Sequence, residues 1–273
     1  MPSSNTTSDR NSHPIVAIII PCHNHGEYIS HAIQSVLDQD YPAKMLAIVD
    51  DGSTDNSYEV MSSFMDEVTH EHEDEKTGDI ITTGTCQGLP MILVKSAKCR
   101  KQAAARNIAI QLAWENADLF CQLDADDLYL PGKLSKSVAM YQRAPNFIGL
   151  VYCDVIIHDT RDDTYVREFR PPYDRTLLER DSIISNAPLI SKMALGYSGL
   201  YDENLPPCED WDLWLRITEN FVAIHIPEAL QQYTTTGKNC TFTVPTNTWN
   251  EKRSIVYQKL QERKRLRHGE PVS

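Results

Sequence analysis

The chain has 273 residues, with 38 acidic against 26 basic side chains and a formal net charge of -12 at pH 7. That length allows one large domain or two small ones, and 41% hydrophobic residues suffice for a sizeable core. The acidic balance argues against nonspecific attraction of the whole protein to nucleic acid or an anionic membrane, though a local basic patch could still act there. The 7 cysteines are scattered, with no Cys-x-x-Cys spacing, so they give no zinc or disulfide framework and suit a reducing cytosol. Residues 1–12 are polar without the apolar centre of a signal peptide. No run approaches the roughly 18 apolar residues of a membrane span, so a cytoplasmic protein is expected.

In chain order, Ile15 to Ile20 is a continuous β-branched run closed by Pro21, the pattern of a central parallel strand buried on both faces. After the turn at Cys22–Gly26, apolar residues recur at helical spacing from Glu27 to Leu37. Met45 to Val49 is a second strand, ending in Asp50-Asp51-Gly52-Ser53-Thr54-Asp55. Strand, helix, strand makes a right-handed βαβ unit. Ligands of open α/β sheets bind at the carboxyl ends of such strands, so Pro21–Asn24 and Asp50–Ser53 share one rim.

A helix is expected over Ser53–Met65 with Ser53 or Thr54 as its cap. From Asp66 to Gly88 the periodicity lapses, and the run His70-Glu71-His72-Glu73-Asp74-Glu75 reads as a solvated acidic loop rather than a metal cluster. Further on come a strand at Met91–Val94, a helix at Lys101–Trp114 with Arg106 and Asn107 in its first turns, and a strand at Leu119–Leu123. That last strand delivers Asp124, Asp126 and Asp127 at its end. Clustered carboxylates on a rigid strand end suit a divalent cation shared with substrate phosphates.

Beyond it, a helix runs to about Arg143, a strand covers Ile148–Val155, and an irregular charged stretch holds Pro171-Pro172. Ser182–Leu195 is mixed, and Cys208-Glu209-Asp210 opens a helix at Trp211–Thr218. A last short strand, Phe221–Ile226, precedes Pro227. Asn250–Arg267 carries seven basic residues against Glu251 and Glu262, with Ile255, Val256 and Leu260 on one face. It reads as a docked surface helix; contact with a membrane surface, a nucleic acid or an acidic partner is the alternative.

Five segments then stand in a telling order: Val16–Pro21 with His23-Asn24, Val49–Asp55, Ala104–Asn107, Leu123–Asp127, and Glu209-Asp210-Trp211-Asp212-Leu213-Trp214-Leu215-Arg216. Together they resemble the family 2 glycosyltransferases of the GT-A fold, over about residues 14–235. The resemblance implies an α/β architecture with a mixed central sheet. A Rossmann-like nucleotide half would occupy 14–127 and an acceptor half 128–235, flanked by a flexible N-terminus (1–13) and a basic helical extension (236–273).

It also implies a nucleotide-diphosphate sugar as donor, UDP-sugar first, a glycan or glycolipid hydroxyl as acceptor, and Mn²⁺ or Mg²⁺ as cofactor. By the same resemblance Pro21, His23, Asp51 and, less directly, Glu27 line the nucleotide. Arg106 approaches it or the diphosphate. Asp124 faces the ribose side and Asp126 holds the metal, with Asp127 as an alternative ligand. Asp210 is the general base with Glu209 beside it, and Trp211 and Tyr201 border the acceptor.

Each residue has a plainer reading. Asp-Gly-Ser is ordinary turn chemistry, helix arginines usually pair with surface carboxylates, and Glu209 and Asp210 are acids favoured at a helix N-terminus. Many relatives carry an Arg and a His after the last strand; this chain reads Gln231 to Asn239 there, with Lys238 as the one candidate cation. A non-catalytic binding module of the same fold, or a transferase acting on a nucleic-acid hydroxyl, is the alternative function.

Overall fold

The computed structural model describes residues 13–237 and 239–267. Residues 1–12 of the expected flexible N-terminus (1–13), the candidate cation Lys238 and residues 268–273 of the expected C-terminal extension lie outside the described residues. The core of the molecule is an 11-stranded mixed sheet. Its strands are β1 (Val16–Cys22), β2 (Lys44–Asp50), β3 (Glu67–Glu73), β4 (Ile80–Cys86), β5 (Leu89–Lys95), β6 (Leu119–Gln122), β7 (Leu128–Tyr129), β8 (Ile148–Asp159), β9 (Thr164–Glu168), β10 (Leu189–Ser191) and β11 (Val222–Thr235). The spatial order is β3-β4-β5-β2-β1-β6-β10-β8-β11-β7, with β9 paired to β8.

Strand β1 lies between β2 and β6, parallel to both. Its side chains alternate between two cores: Ala17 and Ile19 enter one, Val16, Ile18 and Ile20 the other. Burial on both faces is why the segment reads as an unbroken apolar run. Helix α1 (Ile29–Leu37) buries Ile29, Ala32, Ile33 and Val36, and α2 (Ser57–Ser62) follows β2. Helix α3 (Gln102–Ala113) packs on β1 and β2, and α4 (Lys133–Tyr141) on β8. The second half adds α5 (Arg175–Arg180), α6 (Lys192–Ser198) and α7 (Glu209–Ile217), and α8 (Cys240–Thr243) and α9 (Thr246–Arg267) follow β11.

Three expectations need correction. The stretch after Asp66 is not a loop: β3 and β4 pair antiparallel, and the His70–Glu73 run lies on the fully exposed edge strand β3. An edge strand with both faces in water needs no apolar alternation, and its charges discourage pairing with other chains. Only β4 shows a buried pattern, including Gly84, where a Cβ would stand 1.9 Å from the Glu67 carbonyl oxygen.

The helix expected at Ser53 begins only at Ser57, because Ser53 and Thr54 are held as a turn. Ser53 N–H donates to Asp50 Oδ1 (3.2 Å) and Thr54 N–H to Asn24 Oδ1 (2.8 Å). Finally, β11 does not stop before Pro227. It runs 14 residues beside β8, absorbing Pro227 in register shifts between Ile226 and Gln231, as bulges do where a proline removes a ladder donor.

The basic C-terminal segment forms α9, docked through buried Val256 and Leu260. Arg253 pairs with Asp181, Lys259 with Asp202, Arg263 with Glu219 and Lys264 with Glu179. Among the described residues no helix is long and apolar enough to cross a membrane.

Candidate active site

The carboxyl ends of β1, β2 and β6 bring three sequence-distant loops to one rim. Asp51 N–H donates to the Cys22 carbonyl across 2.7 Å, fixing the two loops after β1 and β2. Asp51 is itself nearly buried, and its Oδ1 accepts from Arg100 N–H at 2.8 Å. Together with Pro21, His23, Arg106, Asp124 and Asp126, it lines a cavity of about 630 Å³. The His23 ring meets the Asp51 carbonyl through Nδ1 at 2.8 Å. Six expected nucleotide-site residues thus converge, although Glu27 does not. It is exposed and lies outside the lining of this cavity, because the turn before α1 carries it away from the rim.

Arg106 is the electrostatic centre. Its guanidinium is 1% exposed and donates to Asp124 Oδ1 at 2.7 Å, Glu209 Oε1 at 2.9 Å and Asp210 Oδ1 at 3.1 Å. One cation faces three carboxylates, so the cluster is net negative. Burial alone would disfavour the charged guanidinium, but Asp210, Asp124 and Glu209 outweigh it and raise its pKa further. Tyr201 supports this arrangement from behind, its ring centroid 5.5 Å from the guanidinium carbon.

Asp210 opens α7 and lines both the large cavity and an adjoining one of about 350 Å³. Its side chain keeps 23% exposure, toward these cavities. Enclosure by protein pushes its pKa up to about 7; Arg106 pulls it down, and Glu209 and Asp124 push it higher. A carboxylate poised near neutrality can take a proton at working pH. Glu209, by contrast, is fully buried, bonded to Arg106 and Gln102, and absent from both cavity linings. It positions Arg106.

The acid run divides by environment. Asp124 lines the large cavity, tied to Arg106 and, through Oδ2, to Asn186 Nδ2 at 3.2 Å. Asp126 faces the cavity with a side chain 10% exposed, and its Oδ2 accepts from Asn239 Nδ2 at 3.0 Å. Asp127 is 1% exposed and turned inward, accepting from Thr234 N–H (2.9 Å) and Asn186 Nδ2 (2.8 Å). Burial, then the charges of Asp126 and Asp124, raise its pKa well above the usual carboxylate range. The structure therefore does not support Asp127 as a metal ligand: it braces the loop.

Among the described residues no three His, Cys, Asp or Glu side chains form a ready cation cage. Asp126 fits a cation that draws its remaining ligands from water and a diphosphate, as Mg²⁺ and Mn²⁺ commonly do.

Of the two expected acceptor residues, Trp211 lines the smaller cavity, its Nε1 donating to the Leu178 carbonyl at 2.6 Å. Tyr201 does not. It is 4% exposed and its hydroxyl bonds the Gln122 side chain, so it is a core residue behind Arg106. Residues that sequence reasoning passed over include Asn186, which bridges Asp124 and Asp127 and accepts from Gln231 at 2.6 Å, and Asn239 on Asp126. Both are neutral amides in irregular segments, which leave no periodic or charge signal.

A buried Arg–carboxylate centre of net negative charge stands beside a large cavity at the strand ends of a mixed α/β sheet, the topological switch point at which such sheets bind their ligands. The fold is GT-A: S. aureus TarS 1–349 in complex with UDP-GlcNAc superposes with a TM-score of 0.67 at 14% identity, covering 89% of this chain and 65% of that one. The Pyrobaculum calidifontis mannosyltransferase PcManGT, in complex with GDP-Man and Mn²⁺, gives 0.59 at 19% identity, with 89% and 61% covered. The sequence profile of glycosyl transferase family 2 matches residues 17–202, and the chain belongs to that family. An uncharacterized glycosyltransferase of Rickettsia felis is 26% identical over 230 residues, 80% of this chain but 33% of its own length. The chain thus spans a third of that relative.

Proposed function

We propose that the protein is an inverting transferase that moves a sugar from a nucleotide-diphosphate sugar, UDP-sugar first, to a hydroxyl of a glycan or glycolipid. The observation that carries this reading is the place of Asp210, on the wall common to two adjoining cavities, with a pKa raised to about 7. The large cavity would take the nucleotide and diphosphate against Pro21, His23, Asp51 and Asp124, and the smaller one the acceptor beside Trp211. Complexes of the TarS and PcManGT structures with UDP-GlcNAc and with GDP-Man and Mn²⁺ support the class of donor.

In the step itself, Asp210 accepts the proton of the acceptor hydroxyl while that oxygen attacks the anomeric carbon. The new C–O bond forms on the face opposite the breaking bond to phosphate, and the electron pair leaves with the nucleoside diphosphate. Asp126 would hold a divalent cation, which would supply Lewis-acid stabilisation of that leaving group. Asp124 and Arg106 orient the site around it, and no protonated acid is required.

The test is calorimetric titration of UDP with Mn²⁺ and with chelator, followed by a nucleotide-sugar screen with the wild type and Asp210→Asn. Metal-dependent UDP binding in both proteins, with sugar transfer only by the wild type, is the expected result. Absence of UDP binding under either condition sinks the UDP-sugar assignment. Donor binding with no transfer by the wild type to any glycan acceptor favours a binding module.

A further inference from the structure

One cavity-facing contact has no part in the chemistry above. His25 Nε2 stands 3.6 Å from Asp126 Oδ2, and both residues line the large cavity. The distance is longer than an ordinary hydrogen bond. It is close to the roughly 3.0–3.4 Å separating two donors that each lie about 2.1 Å from one cation at right or tetrahedral angles. His25 Nδ1 is buried, so Nε2 is the nitrogen presented to the cavity.

The imidazole rides on a clamped loop. His25 N–H donates to Ser57 Oγ at 2.9 Å, Gly26 N–H to Asp55 Oδ2 at 3.0 Å, and Asn24 N–H to Ser53 Oγ at 2.9 Å. Gly26 allows this approach because a Cβ there would lie 2.1 Å from Asn56 Oδ1. Asp126 is fixed from the other side by Asn239. The loop that carries His25 and the Asp126 carboxylate are each fixed by their own hydrogen bonds, and the two donor atoms converge at one edge of a cavity, an arrangement preorganised for a shared ligand.

We propose that His25 and Asp126 together ligate the divalent cation that carries the donor diphosphate. The assignment rests on the nucleotide-sugar reading above. An imidazole nitrogen in the set biases the site toward a first-row transition ion over Mg²⁺, which keeps to oxygen ligands.

Pulsed electron paramagnetic resonance on the full chain with Mn²⁺ and UDP tests it directly. The wild type is expected to show ¹⁴N modulation from a ligated imidazole. His25→Gln should lose that modulation and bind Mn²⁺ about 10-fold or more weakly in the presence of UDP. His31→Gln, altering an exposed imidazole of α1 that lines neither cavity, should keep the modulation, and His25→Asn serves as a second variant if His25→Gln folds poorly by circular dichroism. UDP-dependent Mn²⁺ binding without ¹⁴N modulation, or modulation that survives His25→Gln, overturns the assignment of His25 while leaving the donor reading intact. Absence of any UDP-dependent Mn²⁺ binding overturns both.

Discussion

Arg106 Nη1 donates to Asp210 Oδ1 across 3.1 Å, while Nη2 of the same guanidinium holds Asp124 at 2.7 Å. A single buried side chain from α3 therefore couples the carboxylate at the end of β6 to the one that opens α7. The planar fork of arginine makes this possible, since its donors diverge at fixed angles that an ammonium lacks. Placement of the proposed base and of the diphosphate side of the site is thus one structural problem, solved by one residue.

Asp210→Asn should lower turnover by about 10²–10⁴-fold, the usual contribution of a general base, with UDP affinity nearly unchanged. Because Asp210 must be ionised to accept a proton and its pKa is raised to about 7, wild-type kcat/KM should climb with pH and level off above neutrality. The sign for stability is the reverse. A folded pKa above the unfolded value of about 3.9 means the native state binds the proton more tightly, so this group's contribution falls as pH rises from about 4 to 7. The Asn variant should accordingly gain stability relative to wild type between pH 5 and pH 8, read from urea midpoints. A flat wild-type rate profile across neutrality would count against Asp210 as base.

Arg106→Met should destabilise the fold by about 3–5 kcal/mol, because it removes the one cation that pairs with three carboxylates. Adding Glu209→Gln should recover part of the loss, since Glu209 is the fully buried member of the set. Additive losses in this double-mutant cycle would show the pair to be energetically independent. Arg106→Lys should also weaken UDP binding, as a point charge cannot serve Asp124 and Asp210 at once.

The cavity rim was legible because its residues carry charge at strand ends: Asp51, Asp124 and Asp126 each follow an apolar run of strand length. Their division of labour was not. Asp126 and Asp127 are adjacent and chemically identical, and only the fold turns one to the cavity and the other toward Thr234 and Asn186. Tyr201 was misplaced for a related reason, since a tyrosine in a polar loop gives no sign that its hydroxyl points inward to Gln122. The β3–β4 pair was hidden because a solvated edge strand carries no hydrophobic period.

That division can be tested by paired substitutions. Asp126→Asn should reduce Mn²⁺-dependent UDP binding about 10-fold or more with little change in stability. Asp127→Asn should do the opposite. Its new amide would face Asn186 Nδ2, donor against donor, at a cost of about 1–3 kcal/mol, while UDP titrations with Mn²⁺ stay near wild type. Loss of metal-dependent binding in well-folded Asp127→Asn would restore Asp127 to the ligand set.

The basic helix α9 yields the last prediction. Its charge suggests an anionic surface, yet Arg253, Lys259, Arg263, Lys264 and Arg267 each meet a carboxylate on the body of the protein. Such exposed pairs stabilise little individually; the docking depends on Val256 and Leu260, both fully buried. Leu260→Ala should therefore cost about 2–5 kcal/mol, whereas Lys264→Ala should change the urea midpoint only slightly. Because α9 contributes Trp249 and Arg253 to the smaller cavity and Thr248 and Trp249 to the large one, loosening it through Leu260→Ala should raise KM for acceptor and donor together. With five of its seven cations engaged on the body and the chain strongly acidic, the wild type should not sediment with phosphatidylserine-rich vesicles at physiological salt. Salt-sensitive sedimentation, abolished by reversing Lys264 and Arg267 to Glu, would show instead that α9 releases its partners to bind a membrane.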